Sequence, residues 1–353
     1  MSLLATTVKG IEPASGEWRQ KAGEHIDKLT MPPRALGRLL DLAEQLAGIR
    51  RTIKPRVENK VVVTMAGDHG VVSEGVSAFP QEVTPQMVRN FVAGGAGINV
   101  IARVAGARVV VVDMGVAGDL GDLARAGRIL SYRIAPGTRN MATGPAMSRE
   151  QACAALEAGI DIVGVLAAEG LDLLGTGDMG IGNTAPSAAV LSAFAGLPAR
   201  ETAGRGTGVG DEALENKIRV IDRALAVNKP DPQDAVDVLA KVGGFEIGGI
   251  AGLILGAAYH RIPVVVDGFI SSAGALVAKA LAPDAVDYMI AAHRSHEQGH
   301  RIMLEVLGLS PLLDLNLRLG EGTGAALSMK VVEAAAAVIS DMATFEDAGV
   351  TSG

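Results

Sequence analysis

One glutamate among glycines is the first candidate for acid–base chemistry in this sequence. Glu321 lies in the segment Leu319-Gly-Glu-Gly-Thr-Gly324, directly before a long apolar stretch of helical character. A carboxylate flanked by glycines is open to a ligand, and desolvation in a filled site raises its pKa toward the range of a general base. A helix N-cap carboxylate explains the same residue equally well. The segment alone leaves both roles open.

A glycine-rich segment, Gly175-Thr-Gly-Asp-Met-Gly-Ile-Gly-Asn-Thr184, follows an apolar strand and opens a helix with Asn183 or Thr184 as its N-cap. Backbone N–H groups in such a loop, together with a helix N-terminus, form an anion cradle. Glycines 175, 177 and 180 also match the dinucleotide pattern G-x-G-x-x-G, but no convincing strand follows the helix. We expect a single phosphate here, with a purely structural turn as the alternative.

A second loop, Gly204-Arg-Gly-Thr-Gly-Val-Gly210, precedes a helix that carries Lys217. Flexible glycines close to Arg205 and Lys217 can close on a dianionic phosphate. A surface loop with a solvated lysine is the alternative, and the loop by itself does not decide between them.

The pentapeptide His296-Glu-Gln-Gly-His300 matches the H-E-x-x-H pattern of zinc hydrolases, and Glu321 lies where a distant third ligand could fall. Against zinc, Gly299 weakens a helix that must hold two ligands rigidly. We prefer surface histidines at a helix start and expect no metal. A zinc hydrolase acting through His296, Glu297 and His300 stays open as an alternative, as does an NAD-dependent oxidoreductase.

The elements that must position these segments alternate between short β-branched runs and longer helical stretches, which predicts right-handed βαβ crossovers. The expected fold is a Rossmann-like three-layer α/β/α domain with a mostly parallel six-stranded sheet. The strand candidates are Lys60–Thr64, Arg108–Asp113, Arg128–Arg133, Leu171–Gly175, Ile262–Asp267 and Val286–Ile290.

Helical sequence at both ends of the chain predicts a small helical subdomain beside this sheet. Residues 16–50 read as two amphipathic helices broken at Pro32-Pro33, and residues 325–343 as one long alanine-rich helix. The predicted division is residues 1–55 together with 325–353 as the helical subdomain, and residues 56–324 as the large catalytic domain.

Four segments that pair an acid with glycine follow predicted strands. They are Met65–His69, Asp113–Gly115, Thr176–Gly180 and Asp267–Gly268. Ligands of open parallel sheets bind outside the carboxyl ends of the strands. The sequence therefore predicts that these segments converge on one edge and form an active site.

Composition narrows the classes of partner. The chain has 353 residues, a net charge of −7, and no basic tract, which argues against nucleic acid. Its longest apolar runs are too short to span a bilayer, and no signal peptide is apparent. The single cysteine, Cys153, cannot form an internal disulfide. We expect a cytoplasmic protein that binds neither nucleic acid nor membrane.

Taken together, the segments closely resemble the nicotinate-nucleotide–dimethylbenzimidazole phosphoribosyltransferase family over nearly the whole chain. Several long segments match this family in the same order along the chain. Together they are specific for the family, although no single segment would be. They are His25–Leu29, Pro32–Arg38, Asp68–Gly70, Glu74–Val76 with Pro80, Gly137–Met141, Gly144–Met147, Gly180–Thr184, Asn216–Lys217, Lys241–Phe245, Asp267–Phe269 and Arg318–Ala325.

The resemblance implies phosphoribosyl transfer from nicotinate mononucleotide to 5,6-dimethylbenzimidazole, which gives α-ribazole 5′-phosphate for the nucleotide loop of cobalamin. It implies no cofactor or metal, and it suggests a homodimer. Glu321 would be the base, and Asp178, where some relatives carry Glu, a second catalytic candidate of shorter reach. Phosphate and ribose would be bound by Gly177, Gly180, Gly182, Asn183, Thr184, Gly206 and Lys217.

The pocket for the acceptor base is implied to lie partly in residues 77–87, with Phe79, Gln86 and Met87, and to include Leu319. Phe79 and Met87 replace polar residues of some relatives, which leaves the preferred base open. The sequence also leaves open any role of His293, His296 and His300.

Overall fold

A parallel sheet of six strands forms the centre of the molecule. The computed structural model describes residues 1–206, 208 and 210–351. The strands pair parallel in the order β3-β2-β1-β4-β5-β6. This is the doubly wound order whose switch point lies between β1 and β4. The predicted fold class is confirmed, and each strand overlaps its predicted run: β1 Lys60–Gly67, β2 Ala107–Gly115, β3 Leu130–Ser131, β4 Leu173–Met179, β5 Val264–Val266 and β6 Met289–Ala291.

Helices cover both faces of the sheet. Their bounds are α1 Leu3–Gly10, α2 Gly16–Ile26, α3 Arg38–Arg50, α4 Val83–Ala93, α5 Gly97–Ala105, α6 Gly121–Arg125, α7 Arg149–Ala168, α8 Thr184–Ala195, α9 Ala199–Thr202, α10 Asp211–Asn228, α11 Ala235–Val242, α12 Phe245–Tyr259, α13 Phe269–Leu281, α14 Gln298–Leu307, α15 Thr323–Asp341 and α16 Phe345–Ala348. Two short 3₁₀ helices, Gly70–Glu74 and Pro283–Tyr288, lie between these elements.

Strand β1 shows why the sheet must be covered on both faces. All eight of its residues are buried. Its side chains alternate between two apolar clusters, with Val61 and Val63 in one and Val62 and Ala66 in the other. The first cluster contains α7, α8 and α11 to α13, and the second contains α2 to α5 and α15. A continuous apolar run of this kind is typical of a central parallel strand.

The terminal helices pack together as predicted. Leu40 and Leu46 of α3 share the second cluster with Met329 and Val332 of α15, and this cluster also includes Val62 of the sheet. The predicted break at Pro32-Pro33 lies between α2 and α3. The helices therefore form one covering layer of the sheet, and the division into two domains stays a prediction.

Contrary to the expectation that the apolar runs are too short to span a bilayer, helices α7 and α15 are long and apolar enough to do so by length and composition. About half of each window, 50% for α7 and 56% for α15, is buried inside the protein. Their apolar faces are thereby accounted for by the protein core.

The loops at the carboxyl ends of β1, β2, β4 and β5 meet at one edge, as predicted. The Asp68 N–H donates to the Gly115 carbonyl (3.0 Å), which joins the ends of β1 and β2. The Asp267 N–H donates to the Thr176 Oγ1 (3.1 Å), which joins the ends of β4 and β5. The chemistry-bearing residues are thus gathered beside the switch point of the sheet.

Candidate active site

A cavity of about 540 Å³ opens at the carboxyl ends of β4 and β5. Seven predicted residues line it: Phe79, Asp178, Gly180, Asn183, Thr184, Gly206 and Leu319. It is also lined by residues that the sequence analysis did not select, among them Phe269, Ser295 and Arg318. Lys217 and Glu321 lie directly behind lining residues, whereas Gly177, Gly182, Gln86 and Met87 are outside the lining.

Glu321 lies in a turn of three successive residues with positive φ. Gly320, Glu321 and Gly322 have φ of 78°, 63° and 94°. A left-handed conformation costs a non-glycine residue about 1–2 kcal/mol, so the surrounding structure must hold it. Two hydrogen bonds do this: the Glu321 N–H donates to the Asp178 carbonyl (3.2 Å), and the Thr64 hydroxyl donates to the Glu321 carbonyl (3.0 Å).

The Glu321 carboxylate does not cap its own helix. Its Oε2 accepts the Ile98 N–H (3.0 Å) at the N-terminus of α5, while the N-cap of α15 is Gly322. Burial raises the pKa of Glu321, the Ile98 hydrogen bond lowers it in part, and the charge of Asp267 raises it further. The cavity lining ends one residue earlier, at Gly320. The N-cap interpretation therefore fails for α15, and the carboxylate stands at the edge of the cavity.

Asp267 is the residue that ties this turn to the sheet. Its buried carboxylate accepts the Gly322 N–H (3.2 Å) and the Ala325 N–H (2.8 Å), so it caps α15 from the end of β5. His293 Nε2 lies 3.8 Å from Asp267 Oδ1. The sequence indicates Asp267 at the site through its Asp-Gly pair after a strand, but nothing in the sequence predicts this capping role.

Asp178 lies in β4, and its side chain lines the cavity. Its Oδ2 accepts the Asn183 Nδ2 amide (3.0 Å), and within the described part of the chain its buried Oδ1 has no hydrogen-bond partner. Burial, followed by the charges of Asp267 and Glu246, raises the pKa of Asp178 well above its usual value. Asn183 occupies the N-cap position of α8, but its side chain serves Asp178 rather than the helix.

Lys217 and Thr184 form the cationic end of the site. Lys217, on α10, is only 1% exposed, so the alternative of a solvated lysine is wrong. Its Nζ donates to Thr184 Oγ1 (2.7 Å) and to the Gly204 carbonyl (3.0 Å). Burial lowers the pKa of Lys217 to about 8. Arg318, whose Nη1 donates to the Gly206 carbonyl (3.4 Å), adds a second cation. With the N-terminus of α8, these groups suit a phosphate.

The predicted glycine-rich loop is a strand for half of its length, because β4 continues to Met179. A Cβ on Gly177 would lie 2.3 Å from the Glu321 carbonyl oxygen, so Gly177 makes room for the Glu321 turn, and its assignment to phosphate stays a prediction. Gly182 (φ 85°) packs against Val72. Of the three glycines predicted in this loop, Gly177, Gly180 and Gly182, only Gly180 lines the cavity. The dinucleotide pattern requires its first glycines in the turn between a strand and a helix. Gly175 and Gly177 lie inside the strand, so this requirement is not met.

The H-E-x-x-H pattern does not form a metal site. Helix α14 begins at Gln298, so His296 and Glu297 precede it, and His296 is exposed. His300 is fully buried, which makes its predicted surface position wrong. Its ring contacts Ser272 Oγ (3.0 Å) and accepts the Ser295 N–H (2.9 Å), and burial lowers its pKa to about 3. Among the described residues, no group of three acidic, histidine or cysteine side chains could hold a metal ion.

The predicted base pocket is only partly assembled. Phe79 and Leu319 lie at the cavity mouth, 50% and 60% exposed. Gln86 is exposed on α4, and Met87 packs against the core cluster around α5 and α15. Because α4 turns the Met87 side chain toward the core, this residue does not line the pocket in the structure.

A buried pair that the sequence analysis did not predict lies beneath the site. His69 Nε2 is 2.9 Å from Glu246 Oε1, and both side chains are at most 1% exposed. Burial lowers the pKa of His69, but the carboxylates of Glu246 and Asp68 together raise it above its usual value. Because Glu246 also acts on Asp178, the pair belongs to the electrostatic surroundings of the cavity.

Comparisons with known proteins agree with this geometry. A family model described as phosphoribosyltransferase matches residues 11–350. The nicotinate-nucleotide–dimethylbenzimidazole phosphoribosyltransferase of Syntrophotalea carbinolica is 60% identical over 353 residues, which is 100% of both chains. The enzyme of the same name from Geobacter sulfurreducens is 57% identical, over 100% of this chain and 99% of its own.

A solved structure gives the same result at the level of the fold. The crystal structure of CobT from Thermus thermophilus matches with a TM-score of 0.91 and 49% identity, over 96% of this chain and 100% of that one. Identity of this extent over whole chains shows the family as well as the fold. This chain belongs to the nicotinate-nucleotide–dimethylbenzimidazole phosphoribosyltransferase family.

Proposed function

We propose that this protein transfers the 5-phosphoribosyl group from nicotinate mononucleotide to 5,6-dimethylbenzimidazole or a related base. The products would be nicotinate and α-ribazole 5′-phosphate, for the nucleotide loop of cobalamin. The names of its relatives support the substrates. The observation that carries the proposal is one cavity with a buried lysine behind one end and a buried glutamate at its edge.

The reaction suits a site built from side chains alone. The C1′–N bond to the pyridinium breaks, and its electron pair stays on the ring nitrogen, so nicotinate leaves without a charge on that nitrogen. An azole nitrogen forms the new C1′–N bond from the opposite face, which converts a β-nucleotide into an α-nucleotide. The azole N–H proton must pass to a base. Holding the phosphate, stabilising charge at C1′ and accepting this proton are the tasks left to the protein.

The cationic end is assigned to the 5′-phosphate. Lys217 and Arg318 supply charge, and Thr184 and Gly206 lie on the cavity surface in front of Lys217. A phosphate that displaced the Lys217–Thr184 hydrogen bond would receive both donors and the N-terminus of α8. Asp178, whose pKa is raised and whose Oδ1 has no hydrogen-bond partner among the described residues, would face the ribose as a protonated donor.

Glu321 is assigned to the azole proton. Its Oε2 is engaged by the Ile98 N–H, so Oε1 is the oxygen that would accept the proton. The raised pKa makes this carboxylate a stronger base than an exposed glutamate, and its negative charge would also stabilise positive charge at C1′. Leu319, next to it at the cavity mouth, would contact the ring of the acceptor.

We further propose that the protein acts as a cytoplasmic homodimer. The half-exposed apolar side chains of Phe79 and Leu319 at the cavity mouth would gain cover from a second copy. The lone cysteine fits a reducing compartment. Light scattering on the purified protein measures the oligomeric state, and a monomeric mass at assay concentration would contradict the dimer.

The base assignment is tested by Glu321→Gln. This variant keeps the size and the Ile98 hydrogen bond but cannot accept the azole proton, so turnover should fall by about 10²–10⁴-fold, the usual worth of general acid–base assistance. Binding of nicotinate mononucleotide, measured by calorimetry, should stay within a few-fold. Glu305→Gln, on the exposed face of α14, is the matched control and should leave turnover unchanged. Full turnover in Glu321→Gln would remove Glu321 from this role.

A further inference from the structure

A second cavity, of about 480 Å³, lies at the opposite edge of the sheet from the proposed active site. It is formed by the segment that leads from α3 into β1 and by the turn from α12 into β5. Five cationic side chains line it, Arg50, Arg51, Lys54, Arg56 and Arg261, together with Thr52 and His260. Nothing in the proposed transfer reaction uses this cavity.

The positive charge of this cavity is larger than the negative charge of the acidic side chains that pair with it. Arg50 pairs with Asp172 (3.4 Å) and Arg51 with Glu12 (2.7 Å). Within the described residues, no ion pair engages the three remaining cations, Lys54, Arg56 and Arg261. Three positive charges are therefore left in one cavity of a chain whose net charge is −7. Such a local excess concentrates small anions from solution.

The simplest alternative is that these cations only complement helix ends. Helices α3 and α12 end here, at Arg50 and Tyr259, and each helix C-terminus carries roughly half a negative charge. Two helix ends thus account for about one positive charge, which leaves about two. The nearby carboxylate of Asp287 is engaged by Arg19 (4.0 Å) and by the Ala14 N–H (2.9 Å). Helix ends alone therefore do not explain the cluster.

The backbone conformation of two arginines in the cavity supports a functional role for their charges. Arg51 and Arg261 have φ of 53° and 55°, in turns that follow the last residues of α3 and α12. Glycine is the preferred residue at such positions, and another residue costs about 1–2 kcal/mol. Arg50 Nη1 donates to the Arg261 carbonyl (3.4 Å), which joins the two walls of the cavity. Both turns thus accept strain and carry an arginine where glycine would be easier.

From these features we propose that this cavity binds a small polyphosphate, either inorganic pyrophosphate or the phosphate chain of a nucleotide. Guanidinium groups donate in pairs to phosphate oxygens, and Thr52 adds a hydroxyl. The volume is larger than one phosphate needs, and the uncompensated charge matches an anion of two or more charges. His260 lines the cavity, with its ring held edge-on against Tyr259 (5.2 Å), and offers one aromatic ring to the base of a nucleotide, if a nucleotide is the source.

The test is calorimetric titration of the full chain with pyrophosphate, with ATP free of metal, and with sulfate at equal ionic strength. Lys217→Met weakens phosphate binding at the proposed active site, so that binding at the second cavity dominates the titration. In that background, Arg261→Gly with Lys54→Gln removes two cations, and the glycine relieves the strained φ instead of adding strain. Lys229→Gly makes the same change at a left-handed C-cap outside the cavity and is the control.

We expect pyrophosphate, ATP or both to bind to the protein. The control should retain this affinity, and the double variant should lose at least tenfold of it. Tighter binding of ATP than of pyrophosphate would identify a nucleotide as the ligand, and the reverse would identify inorganic polyphosphate. Equal binding of sulfate, or equal affinities in the control and the double variant, would overturn the proposal.

Discussion

At the scale of single residues, two groups with shifted pKa values stand at the two ends of one cavity. Burial moves the pKa of Glu321 upward and the pKa of Lys217 downward. In both cases burial disfavours the charged form, which is the form that the proposed reaction needs. The proposed site is therefore fully active only between these two titrations.

Glu321 should set the acidic limb of the pH profile. The base must be deprotonated, so kcat/KM should fall as the pH drops through the pKa of Glu321, and this pKa is higher than that of an ordinary glutamate. The measurement is kcat/KM against pH with the azole in excess. A limb at the pH of an exposed glutamate would contradict the buried position of this carboxylate.

Lys217 should set an alkaline limb at about pH 8. Above that pH the free enzyme loses the ammonium that binds phosphate, so kcat/KM for nicotinate mononucleotide should fall by up to about tenfold per pH unit. The KM of the nucleotide should carry most of this change, because the lysine contacts the phosphate and not the reacting atoms. In Lys217→Met the limb should disappear and the KM should be high at every pH. A limb that persists in this variant would belong to another group.

Single residues also show where sequence-based prediction stops. Glu321, Thr184 and Lys217 were found because glycines near charged groups are visible in short segments. Asp267 caps α15 from 58 residues away, and His69 meets Glu246 across 177 positions of the chain. Contacts of this kind depend on crossovers that bring distant segments of the chain together, and no local pattern encodes them.

At the scale of elements, the packing of β4 against the turn at residues 320–322 decides where the base stands. From the sequence, the glycines of this strand are assigned to phosphate, because G-x-G-x-x-G is the same string in a strand and in a loop. In the structure Gly177 has a steric role, since its Cα faces the backbone of Glu321. The end of the strand, and not the glycine motif, separates the glycines that make room for the Glu321 turn from those that line the cavity.

Gly177→Ala should therefore impair catalysis through geometry. The new Cβ would lie 2.3 Å from the Glu321 carbonyl oxygen, which is backbone and must move. Displacement of the turn should lower kcat by on the order of 10²-fold. Overpacking should also lower the free energy of unfolding by about 1–3 kcal/mol.

The control is Gly164→Ala in the middle of α7, where an added Cβ meets nothing within 4 Å. It should leave kcat unchanged and stabilise the protein by about 0.5–1 kcal/mol, since alanine is the better helix former. Denaturant unfolding and steady-state kinetics measure both variants. Unaltered kcat in Gly177→Ala would show that the position of this turn does not matter for the reaction.

At the scale of the whole molecule, the fold class followed from the sequence because most strands are short apolar runs, β-branched in β1, β2 and β5, that alternate with helical stretches. Because all six strands are parallel, the acid–glycine segments that follow β1, β2, β4 and β5 meet at one edge of the sheet, whereas the order of the strands was not predicted. The small helical subdomain is harder to delimit from the sequence, since α3 and α15 share their apolar cluster with the sheet. A pattern of amphipathic helices predicts that they pack, but not whether they pack as a separate unit.

The central claim, phosphoribosyl transfer from nicotinate to a benzimidazole, is tested most directly by product analysis. Purified protein is mixed with nicotinate mononucleotide and 5,6-dimethylbenzimidazole, without added metal and with a chelator present, and the products are separated by chromatography and their anomeric form determined by NMR. Parallel reactions with adenine and a phenolic acceptor measure base preference. We predict equal amounts of free nicotinate and α-ribazole 5′-phosphate. Release of nicotinate without a new nucleotide, a β-anomer, or no reaction at all would contradict the account.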